Sequence, residues 1–147
     1  MPTSLPRVVF LSRKGRLGNE DALLLAIRAH GYSLSVIRSV GEIVPAIDAE
    51  PGRVIVIADQ MSTLYEPTSI KGFDDFLHIY GTARMTRNVN LLVIFPGCNE
   101  IEKPDTMKSY GNLLTCIMFT PVDPQELVQF LDRASDNEKY WLPLRRE

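Results

Sequence analysis

The residue in this chain best placed to do chemistry is Asp59, a carboxylate that follows the apolar run Arg53-Val-Ile-Val-Ile-Ala58. An aspartate at the end of a strand can accept a phosphoryl group, but only in company. It needs a divalent cation held by other carboxylates, and a hydroxyl and an ammonium group to neutralise the oxygens in transit. The same position has a plainer first reading, a strand-end or turn aspartate that bonds the following backbone. A second candidate is the loop Arg13-Lys-Gly-Arg-Leu-Gly-Asn19. Its two glycines and three basic groups lead from an apolar run into a predicted helix N-terminus, an arrangement suited to phosphate or a nucleotide. Arg13, Lys14, Arg16 and Asn19 would supply the contacts. The loop matches neither the Walker pattern nor a dinucleotide fingerprint, so a solvated basic loop is its first reading.

The remaining polar residues assemble no chemistry. His30 falls in the last turn of a predicted helix and His78 on another, and neither joins a serine or cysteine in a catalytic arrangement. Asp74 and Asp75 point in different directions on one helix and read as a solvated face. Arg84 and Arg87 could line a basic edge, but without interleaved aromatics they do not indicate nucleic acid. Cys98 and Cys116 fit no metal spacing and are too few for a disulfide framework. They are expected as reduced, partly buried thiols. No catalytic residue, metal or cofactor is expected.

The elements that must position these residues alternate between strand and helix. Arg7 to Ser12 is a short apolar run that suits a central parallel strand covered on both faces. Asn19 is placed to cap a helix with Glu20 and Asp21 in its first turn, a buried stripe of Leu23, Ala26 and Ile27, and Gly31 at its end. Leu34 to Arg38 is a second strand. Ser39 and Glu42 form a capping box for a helix carrying Ile43, Val44 and Ile47, which Pro45 should shorten or bend. Pro51-Gly52 breaks the chain before the third strand. After Asp59 a long polar stretch reaches about residue 68, followed by Phe73, Phe76, Leu77 and Tyr80 at helical spacing. Leu91 to Phe95 is a fourth strand, Pro104 to about Leu113 a weak helix, and Thr115 to Phe119 a fifth strand. The last helix carries the strongest signals, with Asp123 as N-cap, Pro124 at the first helical position, Glu126 three residues after the cap, and Leu127, Phe130 and Leu131 facing inward. Strands interleaved with helices imply an α/β domain with one doubly wound, five-stranded parallel sheet in flavodoxin-like order 2-1-3-4-5.

The segment Phe119-Thr-Pro-Val-Asp-Pro-Gln-Glu-Leu127, set behind this alternation, resembles the closing strand-to-helix turn of CheY-like response-regulator receiver domains. That resemblance covers about 125 residues. In the family two metal-binding acids end the first strand, the phosphoacceptor ends the third, a hydroxyl follows the fourth, and a lysine before proline follows the fifth. Here Ser12, Arg13 and Lys14 stand at the first place, Phe95, Pro96 and Gly97 at the third, and Thr120 at the last. Asp59 alone remains. The resemblance is therefore to an atypical or pseudo-receiver, and it implies a non-catalytic signalling module that acts by binding a protein partner or a second copy as a homodimer. The face it implies, formed by the fourth and fifth helices and the fifth strand, would use Met107, Tyr110, Gln125 and Gln129.

Composition agrees with one soluble domain. The chain has 147 residues, 45% of them hydrophobic, and a net charge of −2, which gives no general attraction to nucleic acid or to an anionic membrane. The N-terminus lacks a signal-peptide pattern and no apolar run approaches a membrane span, so a cytoplasmic location is expected. The domain is expected over residues 1–134 with a tail over 135–147, polar except for Tyr140-Trp-Leu-Pro-Leu144.

Overall fold

The computed structural model describes residues 5–13, 17–63, 71–95, 97 and 116–137. Five strands, β1 (Arg7–Leu11), β2 (Leu34–Ile37), β3 (Val54–Asp59), β4 (Val89–Phe95) and β5 (Cys116–Phe119), form a single sheet in the order β2-β1-β3-β4-β5. Every pairing is parallel. The expected fold class and strand order are those observed.

The alternation of side chains along each strand divides the core in two. Val9, Leu11, Val56, Ala58, Leu91 and Val93 face one side, where they meet α2 (Ile43–Asp48) and α3 (Lys71–Arg84). Val8, Phe10, Ile55, Ile57, Leu92 and Ile94 face the other, covered by α1 (Glu20–Ala29) and the final helix (Pro124–Asp136). β3 is buried along its whole length, as a central strand with helices on both faces must be.

Most local signals act as read. Gly31 follows α1 with φ +89, a conformation that favours glycine. Phe73, Phe76, Leu77 and Tyr80 are all buried on α3. Asp123 caps the final helix by accepting from the Gln125 N–H at 3.1 Å, and Leu127, Phe130 and Leu131 are buried beneath it.

Four readings need correction. Asn19 occupies the capping position of α1, but its side chain makes no cap; Nδ2 instead donates to Val122 O at 2.6 Å, tying the start of α1 to the turn before the final helix. Ala26 is only half-buried, and Leu24 completes the α1 stripe. Val44 is 44% exposed, because a helix of six residues presents only Ile43 and Ile47 to the sheet. β4 begins two residues earlier than its apolar run, with Asn90 fully buried within it. The predicted helix at 104–113 and Cys98 lie outside the described residues; Cys116 is half-buried.

Candidate functional site

Parallel strands deliver their C-terminal ends to one edge, and the register shows which residues meet there. Leu11 pairs with Ile37 on one side and Ala58 on the other, so the next residues, Arg38, Ser12 and Asp59, stand level across β2, β1 and β3. Asp59 is the last residue of β3, opposite Ile94, and is 3% exposed. It therefore occupies the strand-end position from which the resemblance would have it accept a phosphoryl group.

Its surroundings hold the loops together. Ser62, in the 3₁₀ turn Gln60–Thr63, donates from Oγ to Asp59 Oδ2 at 2.7 Å, and the same Oγ accepts from the Arg13 N–H at 2.8 Å. Asp59 thus anchors the turn that follows it, as its plainer reading expects, though through the Ser62 side chain. Through Ser62 it also reaches the chain leaving β1. On the other side of β1, the Arg38 guanidinium donates to Ser12 O at 2.8 Å and to Glu20 Oε1 at 2.7 Å. The Arg38 and Ser39 N–H groups in turn donate to the Glu42 carboxylate, and these backbone bonds hold its pKa below the ordinary glutamate value.

This edge does not fit the magnesium ion that receivers use. A hard dication takes several oxygen ligands, carboxylates among them. At the end of β1 stand Ser12, fully buried with its hydroxyl turned to Arg13 O at 3.3 Å, and Arg13, a cation. Ser12 O and Glu20 Oε1 already face the positive charge of Arg38. Among the described residues no three His, Cys, Asp or Glu side chains gather as a ligand set.

The Thr120 N–H donates to Phe95 O at 3.0 Å, which brings the ends of β4 and β5 together. A Cβ on Gly97 would come within 3.3 Å of Thr120 O, so the chain after β4 passes close to this backbone as glycine. Thr120 itself precedes Pro121 through a cis peptide bond.

Of the loop residues, Arg13 is exposed and Asn19 spends its amide N–H on Val122 O, while Lys14 and Arg16 lie outside the described residues. A cleft of about 480 Å³ is lined by Leu17, Gly18, Asn19, Thr120 and Pro121. Gln125 and Gln129 are exposed on the final helix; Met107 and Tyr110 lie outside the described residues. Sequence reasoning missed Ser62, Arg38 and Glu20. The polar stretch after Asp59 has no periodicity to single out one serine, and the Arg38–Glu20 pair spans 18 residues.

No protein-family model and no curated protein matches the chain. Solved structures match its fold. A CheY-like response regulator receiver domain protein from Methanospirillum hungatei JF-1 superposes with a TM-score of 0.63 at 16% identity, over 92% of this chain and 98% of that one. Chemotaxis response regulator CheY4 of Vibrio cholerae gives 0.61 at 15%, over 88% and 98%. NtrX from Brucella abortus, in complex with ADP, gives 0.66 at 12%, over 92% of this chain and 27% of that one. The chain has the fold of a CheY-like receiver domain.

Proposed function

We propose that this protein is a receiver-like signalling module that is not switched by aspartyl phosphorylation and acts by binding a protein partner. The observation that carries this reading is the tie from Asp59 through Ser62 to the Arg13 backbone, at 2.7 and 2.8 Å, beside a β1 end that offers a serine and an arginine. A phosphoacceptor must exchange its contacts when it is charged; here the carboxylate fastens two loops, and the cation that would neutralise a phosphoryl group has no acidic pair to hold it. Thr120 in place of lysine removes the ammonium that would read the phosphorylated state. What remains is a shaped surface. The face assigned to a protein partner or a second copy would use the exposed Gln125 and Gln129 of the final helix, together with Met107 and Tyr110, which lie outside the described residues. None of the described helices is long and apolar enough to cross a membrane.

The test is an NMR titration of the labelled protein with magnesium and beryllofluoride, a small mimic of the phosphoryl group. The reading predicts no shift of the Asp59, Ser62 and Thr120 amides. Saturable shifts at those three positions would favour Asp59 as a working phosphoacceptor. The cleft of about 480 Å³ beside Leu17 and Thr120 favours one other reading, a phosphate or nucleotide sensor using Arg13, Lys14 and Arg16. Under that reading millimolar nucleotide raises the melting temperature, and Arg13→Ala with Arg16→Ala removes the rise.

A further inference from the structure

The inner face of α1 is occupied by the core, which takes Leu23, Leu24 and Ile27. Its outer face is left with five exposed residues, Asp21, Ala22, Leu25, Arg28 and Ala29. Leu25 is 68% exposed, more than any other large hydrophobic side chain among the described residues. A single bare leucine needs no explanation. The arrangement of charge and size around this one does.

At about 100° per residue the other four fall within about 60° of Leu25 around the helix, Asp21 and Arg28 to one side of it and Ala22 and Ala29 to the other. Along the axis Asp21 and Ala29 lie about 6 Å from Leu25 in opposite directions, and Ala22 and Arg28 about 4.5 Å. A second α1 laid antiparallel to the first, with the two-fold axis at Leu25, therefore meets a matching surface. Asp21 of one copy comes level, to within about 1.5 Å, with Arg28 of the other, and Ala22 likewise with Ala29. The two-fold repeats each contact, so two ion pairs form on one side of the seam and two alanine pairs on the other. Small side chains there let the helix axes approach to the close end of the usual range, about 8 Å, where the two Leu25 side chains pack on each other. Within one copy Asp21 and Arg28 are about 10 Å apart along the axis, too far to pair. Neither has an ion-pair partner among the described residues.

We propose that the protein forms a symmetric dimer through the outer face of α1, the two helices antiparallel, with Leu25 on the two-fold axis and Asp21 of each copy paired with Arg28 of the other. A helix of ten residues offers only about 15 Å of contact, less than a permanent interface uses, so this dimer is a weak one that exchanges with monomer. Neither Asp59 nor its phosphorylation enters the contact, which stands or falls apart from the reading of that residue.

Sedimentation velocity and NMR of the full-length, isotope-labelled protein, from about 20 μM to about 1 mM, test this across the range of a weak dimer. With rising concentration the average mass should climb toward twice that of the monomer, and the amides of Asp21, Leu25 and Arg28 should shift. Leu25→Asp should keep the protein monomeric throughout. Asp21→Arg and Arg28→Asp each set like charges against one another in both pairs and should each weaken association about ten-fold or more. Mixed in equal amounts, these two variants set opposite charges together in both pairs and should associate again. Met85→Asp, at a residue 48% exposed just beyond α3, is the control and should leave the dimer as it was. All the substitutions sit at exposed positions, and circular dichroism checks that each variant is folded. An unaltered protein that stays monomeric at the highest concentration would overturn the proposal. So would a dimer indifferent to Leu25→Asp, which would place the interface on another face. A mixture of the two folded charge variants that remains monomeric would overturn the antiparallel pairing.

Discussion

Replacing Ser62 by alanine should cost the domain roughly 2–4 kcal/mol. Ser62 is 1% exposed, and its single oxygen both donates to Asp59 Oδ2 at 2.7 Å and accepts from the Arg13 N–H at 2.8 Å. A hydrogen bond to an ionised group contributes about 1.5–3 kcal/mol and a neutral one about 1 kcal/mol. Asp59 is itself 3% exposed, so water has little access to replace the lost donor. The volume removed is one hydroxyl, too small for a cavity effect to dominate. For a domain of this size the loss corresponds to a fall in melting temperature of roughly 5–15 °C. Urea titration followed by circular dichroism measures it, with the slope expected to stay unchanged because the folded core is the same. The double variant Ser62→Ala with Asp59→Ala should lose less than the two single losses combined, by about 1–2 kcal/mol, since each single change already breaks the shared bond. A loss below about 0.5 kcal/mol, the range of ordinary surface changes, or strict additivity of the two variants, would refute the idea that Asp59 fastens the loops through Ser62.

Three other changes probe the frame around the site. Tyr32 donates to Asp132 Oδ1 at 2.7 Å, and desolvation, with the Asp132 charge adding to it, pushes its pKa up to about 12. A raised phenol pKa means that the neutral form is favoured by folding, so this stabilisation is complete below pH 10 and is lost as pH climbs toward 12. Ultraviolet titration of the protein against Tyr32→Phe should resolve one late-ionising tyrosine, and the variant should lose about 1 kcal/mol near neutral pH. Arg7→Ala removes the guanidinium that holds the carbonyls of Ala46, Ile47 and Glu50 at the end of α2. Amide exchange should accelerate in α2 first, with a global loss of about 2–3 kcal/mol. Asn19→Ala breaks the 2.6 Å bond to Val122 O and should cost about 1 kcal/mol, with faster exchange at the first turn of α1; unchanged exchange there would show that the tie is not maintained in solution.

Where one physical signal dominated, the sequence was readable. The short apolar, β-branched run of β3 behind Pro51-Gly52 read as a strand buried on both faces, and Asp123-Pro124 with Glu126 set the start of the final helix by local chemistry alone. Gly31 ended α1 for the same kind of reason. The misread positions are those where a long-range contact outbid a local preference. Asn19 had every local reason to cap α1, yet its amide serves Val122, 103 residues away. Val44 shares the spacing of a buried residue but lies on a helix too short to bury three apolar side chains. Asn90 interrupted the apolar run that would have marked the start of β4. At the site, the strand-end place of Asp59 was legible because strand ends sit at predictable places. Ser62, Arg38 and Glu20 were not, because their role exists only once β1, β2 and β3 lie side by side.

The account turns on whether Asp59 can be phosphorylated, and mass spectrometry of the intact protein after incubation with magnesium and acetyl phosphate tests this most directly. A mass identical to that of the untreated protein is the predicted result. Stoichiometric addition of one phosphoryl group, abolished by Asp59→Asn, would contradict it.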